Sequence, residues 1–249
     1  MIRYLLVGLI IFLAIAIFAA PAGLVSRALQ HLPAGSSVEL REARGRVWQG
    51  QGTLVIDRLV LGTLQWDVKP ASLLLSMLRP SSSVDWDLKQ ARANLSGEVA
   101  TGLKALTLVS RGTLDGSALD PWLRVYDLRI GGTFDFRQTD MNLDTETGWL
   151  NSIEGAIHWS GGPARFAMGG LLKEVTLPPL IANLSTVNEL PQAVVVEHDD
   201  ATPLLIVTLA RDGVVKFALT KKFTRLLSQT WPGSDPDHTV VLSVEEKIF

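Results

Sequence analysis

Cysteine is absent from the 249 residues. Disulfide bonds, thiolate nucleophiles and zinc sites built on Cys ligands are therefore excluded. An excess of either charge is lacking too, with Lys+Arg 23 against Asp+Glu 25 and a net charge of -2. That balance provides no broad electrostatic attraction for nucleic acid, which calls for a basic face. Histidine is scarce. No two of His31, His158, His198 and His238 stand three or four residues apart, so no helix can present a metal-binding pair. His198-Asp199-Asp200 and Asp235-Pro236-Asp237-His238 read as solvated loop charge, with metal binding as the competing reading. Missing as well are a G-x-S-x-G elbow, a phosphate-binding Gly-rich loop and a G-x-G-x-x-G opening a helix. Gly161-Gly162 and Gly169-Gly170 suit β-turns or bulges instead. The expectation is a protein without catalytic, metal or cofactor-binding residues. An enzyme would need a Ser, Asp or Glu site assembled from distant segments.

What the chain does have is one long apolar run at its N-terminus. From Tyr4 to Ala20 there is no charge, and Leu5, Leu6, Leu9, Ile10, Phe12, Leu13, Ile17 and Phe18 set its character. The charge-free stretch continues to Val25, between Arg3 and Arg27. A helix crossing the hydrocarbon of a bilayer needs about 20 residues, so this segment is expected to be a transmembrane anchor. The competing reading is a cleaved secretory signal, because Ala20-Pro21-Ala22 resembles an A-x-A cleavage site. The apolar run is longer than the usual signal core of about 7–15 residues. Leu24 to Leu32 reads as a helical continuation, with Leu24, Ala28 and Leu32 on one face.

Beyond Pro33-Ala34-Gly35-Ser36-Ser37, a turn or short linker, the pattern changes to period two, the mark of half-buried strands. Leu64, Trp66 and Val68 alternate with Gln65, Asp67 and Lys69, and Val84, Trp86 and Leu88 with Asp85, Asp87 and Lys89. Tyr126, Leu128 and Ile130, then Phe134 and Phe136, then Met141 and Leu143, continue the alternation. About a dozen strands are expected. Ala193–Val196 and Pro203–Val207 are apolar enough for strands covered on both faces. Arg211-Asp212-Gly213 marks a hairpin. Short helices are expected at Pro70–Leu78, Pro179–Thr186 and Lys221–Thr230.

Two echoes recur. Gln65-Trp66-Asp67-Val68-Lys69 returns as Asp85-Trp86-Asp87-Leu88-Lys89, and Gly45–Gly50 is echoed at Gly155–Gly161. Common strand chemistry is one reading, and two related β-units at about 38–150 and 151–249 are the other. Trp48, Trp66, Trp86 and Trp159 read as rings filling a sheet core, or else as the wall of an apolar groove. Arg41, Arg44 and Arg46 read as a solvated strand face, or as a patch for anionic headgroups. The expected class is mainly β: residues 1–32 form an N-terminal transmembrane helix with its helical extension. Residues 38–249 form an extended, twisted, antiparallel-rich sheet domain with a few short helices.

The order of motifs carries a family resemblance. After the apolar N-terminus come Gly45-x-Val47-Trp48-x-Gly50 and Leu61-Gly62-x-Leu64-x-Trp66-x-x-x-Pro70-x-x-Leu73-Leu74. Gly155-x-Ile157-x-Trp159-x-Gly161 and Pro203-Leu204 follow, then Asp212-Gly213, a basic helix and a final strand. This arrangement resembles protein N of the type II (general) secretion pathway. The resemblance implies a single-pass inner-membrane protein with most of its chain in the periplasm. Its implied partners are other secretion components, the inner-membrane platform and the outer-membrane secretin, together with inner-membrane lipid; nucleic acid is excluded as a partner by the charge balance. It carries over no catalytic residue and no cofactor. Two functions follow as expectations: a non-enzymatic component in the export of folded proteins across the outer membrane, or a tethered lipid-binding or lipid-transfer module with an apolar β groove.

Overall fold

The structure is a computed structural model and describes residues 19–30, 38–56, 58–68, 82–102, 104–168, 170–229 and 231–247. The anchor residues Leu5 to Phe18, together with Pro70 and the helix expected at Pro70–Leu78, lie outside the described residues. Among the described residues no helix is long and apolar enough to cross a membrane. The chain divides into two compact units, the first ending at Gln90 and the second beginning at Ala91.

In the first unit a short helix, α1 (Gly23–Gln30), precedes four antiparallel strands in sequence order: β1 (Val38–Gly45), β2 (Gln49–Ile56), β3 (Leu59–Val68) and β4 (Ser82–Gln90). Alternation decides the faces. Trp66, Val68 and Leu88 are buried, while Gln65, Asp67 and Lys89 point outward or to the rim. The echo of residues 65–69 at 85–89 turns out to be the two arms of one hairpin, with Trp66 directly opposite Trp86 and Asp67 opposite Asp85. The likeness is therefore a cross-strand match, in which large rings pair on one face.

The chain enters this sheet earlier than its apolar pattern implied. Ala20 accepts a hydrogen bond from the Val47 amide at 2.9 Å, the Ala22 amide donates to Gly45 at 3.1 Å, and Ala22 is 1% exposed. Ala22 packs with Leu40 and Trp66, and Val25 joins them. The charge-free stretch from Pro21 to Val25 is thus part of the folded body. The buried face of α1 also differs from expectation, because Val25 packs inward while Leu24 is exposed.

The second unit carries a nine-stranded antiparallel sheet. Its order is β5 (Ala93–Thr101), β6 (Ala105–Asp115), β8 (Thr133–Asp144), β9 (Leu150–Trp159), β12 (Leu180–Val187), β13 (Leu190–Glu197), β14 (Asp200–Leu209), β15 (Val214–Thr220) and β16 (Val240–Lys247). A second, small sheet is formed by β7 (Arg129–Ile130), β10 (Gly162–Met168) and β11 (Leu171–Leu177), with β10 in the middle. Hairpin β10–β11 interrupts the chain between β9 and β12, which nevertheless pair, Trp159 opposite Leu180. Residues 150 and 151 open β9, which pairs along β8 inside this unit.

Three local expectations are corrected. The helix expected at Pro179–Thr186 is instead strand β12 (Leu180–Val187), whose backbone pairs with β9 on one side and β13 on the other. Tyr126–Ile130 is not one strand. Helical turns run from Gly116 through α2 (Asp120–Leu123) to Tyr126, and Asp127 reverses the chain at φ 50, leaving only Arg129–Ile130 extended. Lys221–Thr230 shortens to α3 (Lys221–Leu226), capped at its start by the Thr220 hydroxyl and ended near Ser228 at φ 57. Phe134–Arg137 and Met141–Asp144 belong to the single strand β8, bent by a bulge between Phe136 and Gln138. The apolar strands around Val195 and Leu205 pair with each other, and of these segments only Val196 and Leu204 are buried, the others being partly exposed.

Candidate interaction surfaces

Among the described residues, most of the motif residues that the sequence singled out serve two tryptophans. Gly45, at φ 97, closes the β1–β2 hairpin opposite Gly50, a backbone angle that side chains resist. Val47 in the turn presents its carbonyl to the Trp66 indole N–H at 3.0 Å. Trp48 is half-buried, and its carbonyl accepts from the Val68 amide at 2.7 Å. Gly50 lies under the Trp66 ring. A Cβ there would meet Cζ2 at 2.5 Å, so the ring's seat requires glycine. In the second unit the Trp159 indole donates to the Gly131 carbonyl at 2.8 Å, and its ring stacks on Phe134 at 6.1 Å. Gly155 sits at φ 128 at the β8–β9 irregularity, with its α-carbon facing the Gln138 carbonyl, and Gly161 turns the chain out of β9. The counterpart of Trp159 is thus Trp66, not Trp48: each buried indole satisfies a loop carbonyl. The Gly45–Gly50 segment is a hairpin turn and Gly155–Gly161 mostly a strand, so that second echo is not a structural repeat.

The two polar clusters are committed to ion pairs. Asp200 accepts from the Lys222 ammonium at 2.7 Å, and Glu197 pairs with the same ammonium. Asp237 pairs with Arg225. His158 and His198 meet edge to face at 6.3 Å. Burial, helped by the nearby Arg137 charge, holds the His158 imidazole below its ordinary pKa. Among the described residues no group of three or more His, Asp or Glu side chains is arranged to hold a metal ion. In the first unit, Arg44, Gln49, Asp67, Asp85 and Asp87 line an open polar cleft of about 470 Å³ with Trp66 at its base. Arg41, Arg44 and Arg46 are exposed, and Arg41 pairs with Glu39 at 2.8 Å.

Two surfaces of the second unit were not legible in the sequence. The first is a strand edge. Among the described residues β16 has a partner, β15, on one side only. Leu242 and Val244, opposite Leu219 and Phe217, lie on one face of it and are 40% and 46% exposed; Val240, 46% exposed, lies beyond a bulge at Val241. An unpaired edge offers a row of backbone donors and acceptors to another strand.

The second surface is an apolar groove of about 430 Å³ between the large sheet, the small sheet and α3. Its floor is a row of side chains in register across four adjacent strands: Ile157, Ala182, Val195 and Leu205. Ile130, Ala164 and Phe166 of the small sheet and Phe223 and Leu227 at α3 wall it in. The apolar face of α3 was visible in its sequence. Its partner across the groove, Leu128–Ile130, was hidden because those residues were read as part of a longer strand.

These features define an antiparallel β protein with an open strand edge and an apolar groove, built around two glycine-seated tryptophans. A family model described as type II secretion system (T2SS), protein N, matches residues 36–229. The chain belongs to that family and so to the components of type II secretion. Neither the search of curated proteins nor that of solved structures found a match.

Proposed function

We propose that this chain is a non-enzymatic component of the type II secretion machinery, held in the inner membrane by its N-terminal segment, with its β body in the periplasm. Edge strand β16 is its docking site for another secretion component. The observation that carries the docking is the exposed apolar pair Leu242 and Val244 on an edge unpartnered among the described residues. Natural sheets protect such edges with charge, bulges or cover. Here the charges Glu245, Glu246 and Lys247 are confined to one end of the strand and a bulge at Val241 to the other, which leaves the stretch from Leu242 to Val244 without either. Strand addition supplies affinity through main-chain hydrogen bonds and specificity through alternate side chains.

Retention of the N-terminal segment draws support from the packing of Ala22. Cleavage after Ala20-Pro21-Ala22 would remove a side chain seated against Leu40 and Trp66, along with the hydrogen bonds that tie Ala20 and Ala22 to the β1–β2 turn. The charge-free residues from Tyr4 to Ala19 are then left for the membrane segment, shorter than the roughly 20 residues of a full span, with Arg3 reaching toward the headgroups to extend it.

Photo-crosslinking amino acids placed at Leu242 and Val244 in secreting cells are expected to capture secretion proteins. The same probe at Glu154, exposed on the central strand β9, is expected to capture none. Recovery of lipid alone from the β16 positions, or equal capture from Glu154, would defeat the docking assignment.

A further inference from the structure

We infer that the groove of the second unit holds an acyl chain of an anionic phospholipid, entering between Arg124 and Arg129 from the membrane surface. The inference is independent of docking at β16. It draws on the proposed tether only for a membrane within reach.

Protein interiors are packed with few voids larger than a water molecule. An open groove of about 430 Å³ lined by aliphatic and aromatic side chains holds apolar surface against solvent, and an apolar occupant that covers it gains the hydrophobic term. Its volume is within the range of about 300–1,000 Å³ seen for ligand sites. The floor crosses four strands, or three steps of about 4.8 Å, so the space is longer than one side chain. An elongated hydrocarbon fits that shape.

The mouth identifies the headgroup. Leu128 lines both the groove and an adjoining cleft of about 160 Å³ whose other walls are Arg124, Asp127, Arg129, Arg165 and Leu172. Arg129 and Arg165 stand directly opposite each other in the β7–β10 register, where like charges are destabilising. Glu174 pairs with Arg165 at 2.6 Å, whereas no ion pair among the described residues neutralises Arg124 or Arg129. Three arginines against one aspartate, Asp127, line the cleft, and an anion beside Arg129 would relieve its repulsion with Arg165. The surroundings point to a membrane as its source. Val125, Tyr126, Leu171 and Leu172 are exposed by 82%, 65%, 68% and 71% on the turn and strand bearing this cleft. Apolar tips with an aromatic ring, flanked by arginines, are what a surface needs to sit in an anionic headgroup layer.

The test uses the full-length chain in phosphatidylcholine nanodiscs doped with phosphatidylglycerol bearing a diazirine at the end of one acyl chain, followed by irradiation and peptide mapping. Adducts are expected on the β9, β12 and β13 peptides containing Ile157, Ala182 and Val195. Ala182→Phe, which fills the floor, is expected to abolish them. Arg124→Glu with Arg129→Glu leaves the apolar core untouched and is expected to reduce them by about fivefold or more per arginine. A diazirine phosphatidylcholine is expected to label the same peptides several-fold less. Adducts before residue 20 report the tether separately. Unlabelled groove peptides, equal labelling by both lipids, or full labelling of the double arginine variant would overturn the inference.

Discussion

Trp159→Ala is expected to destabilise the second unit by about 4 kcal/mol, the usual range for removing a buried large aromatic being roughly 3–5 kcal/mol. The indole is 6% exposed and packs with Ala164, Leu177, Leu180 and Leu204. It joins the large sheet to the small one, since Trp159 is on β9 while Ala164 and Leu177 are on β10 and β11. Truncation would merge a new cavity with the existing groove, and the small sheet would lose its main support. The substitution also strips the Gly131 carbonyl of its donor, which lies 2.8 Å away. Trp159→Phe separates the two effects. It keeps much of the packing but leaves that acceptor unsatisfied, at a cost of about 1–3 kcal/mol. Urea unfolding followed by circular dichroism checks both, with the midpoint lowered most by alanine. An alanine variant within about 1 kcal/mol of wild type would mean that the indole is not the joint described.

Lys222→Met is expected to cost roughly 3 kcal/mol, the low end for breaking a buried pair by removing one partner. The Lys222 side chain is 10% exposed, against 23% for Glu197 and 50% for Asp200. The low end applies because Asp200 keeps access to water. Methionine retains the apolar stem, so what is lost is the charge, and Glu197 and Asp200 are left as neighbouring carboxylates without their cation. Burial by itself would lower the Lys222 pKa. Hydrogen bonds to Asp200 and Glu197 outweigh it and hold the ammonium above its ordinary value. The Lys222 hydrogen bond, with further bonds from the Thr202 hydroxyl and amide, holds Asp200 well below the usual carboxylate range.

These shifts set the pH dependence. A depressed carboxylate contributes stability that is present above its unfolded pKa of about 3.9 and is lost as pH falls toward the folded value. A raised lysine contributes stability that is present below about 10.4 and is lost as pH rises through the folded value. His158 adds an earlier step in acid. Its folded pKa is depressed, so stability declines as pH falls below about 6.5 and levels off once the folded imidazole also protonates. Wild type is therefore expected to lose stability in two acid stages, the later shared by Asp200 with Asp115 and Asp144, whose carboxyls are held low by hydrogen bonds from Ser117 and Thr147. Lys222→Met should keep the His158 stage and weaken the later one. Thermal melts from about pH 2 to about pH 8, which take in the His158 stage and the greater part of the later one, check it. An unchanged later stage in Lys222→Met would remove Lys222 from the account.

The strands were legible because one face of each is buried, and burial writes itself into the sequence with period two. Residues 64–68 and 84–88 show this, since both were read on the correct faces before their pairing was known. Pro179–Thr186 misled because a proline followed by leucines suits a helix start equally well, and only pairing with β9 and β13 decides between them. The tryptophan seats were half legible. Gly50 and Trp66 were picked out, but the contact between ring and glycine depends on the β2–β3 register. The groove was not legible, because Ile157, Ala182, Val195 and Leu205 come from four strands and are ordinary residues in each. Nor was its cationic mouth, which arises where a two-residue strand sets Arg129 against Arg165. Lys222 looked like one more polar residue of a basic helix. Its burial depends on the β13–β14 turn folding back over α3.

The central claim is that a tethered β body works among secretion components at the inner membrane. Its most direct test is affinity purification of the chain from membranes of secreting cells, with identification of everything that co-purifies. The account predicts recovery from the membrane fraction with the residues before Ala20 intact, together with type II secretion proteins. Recovery from the soluble fraction with those residues removed and no secretion protein attached would contradict it.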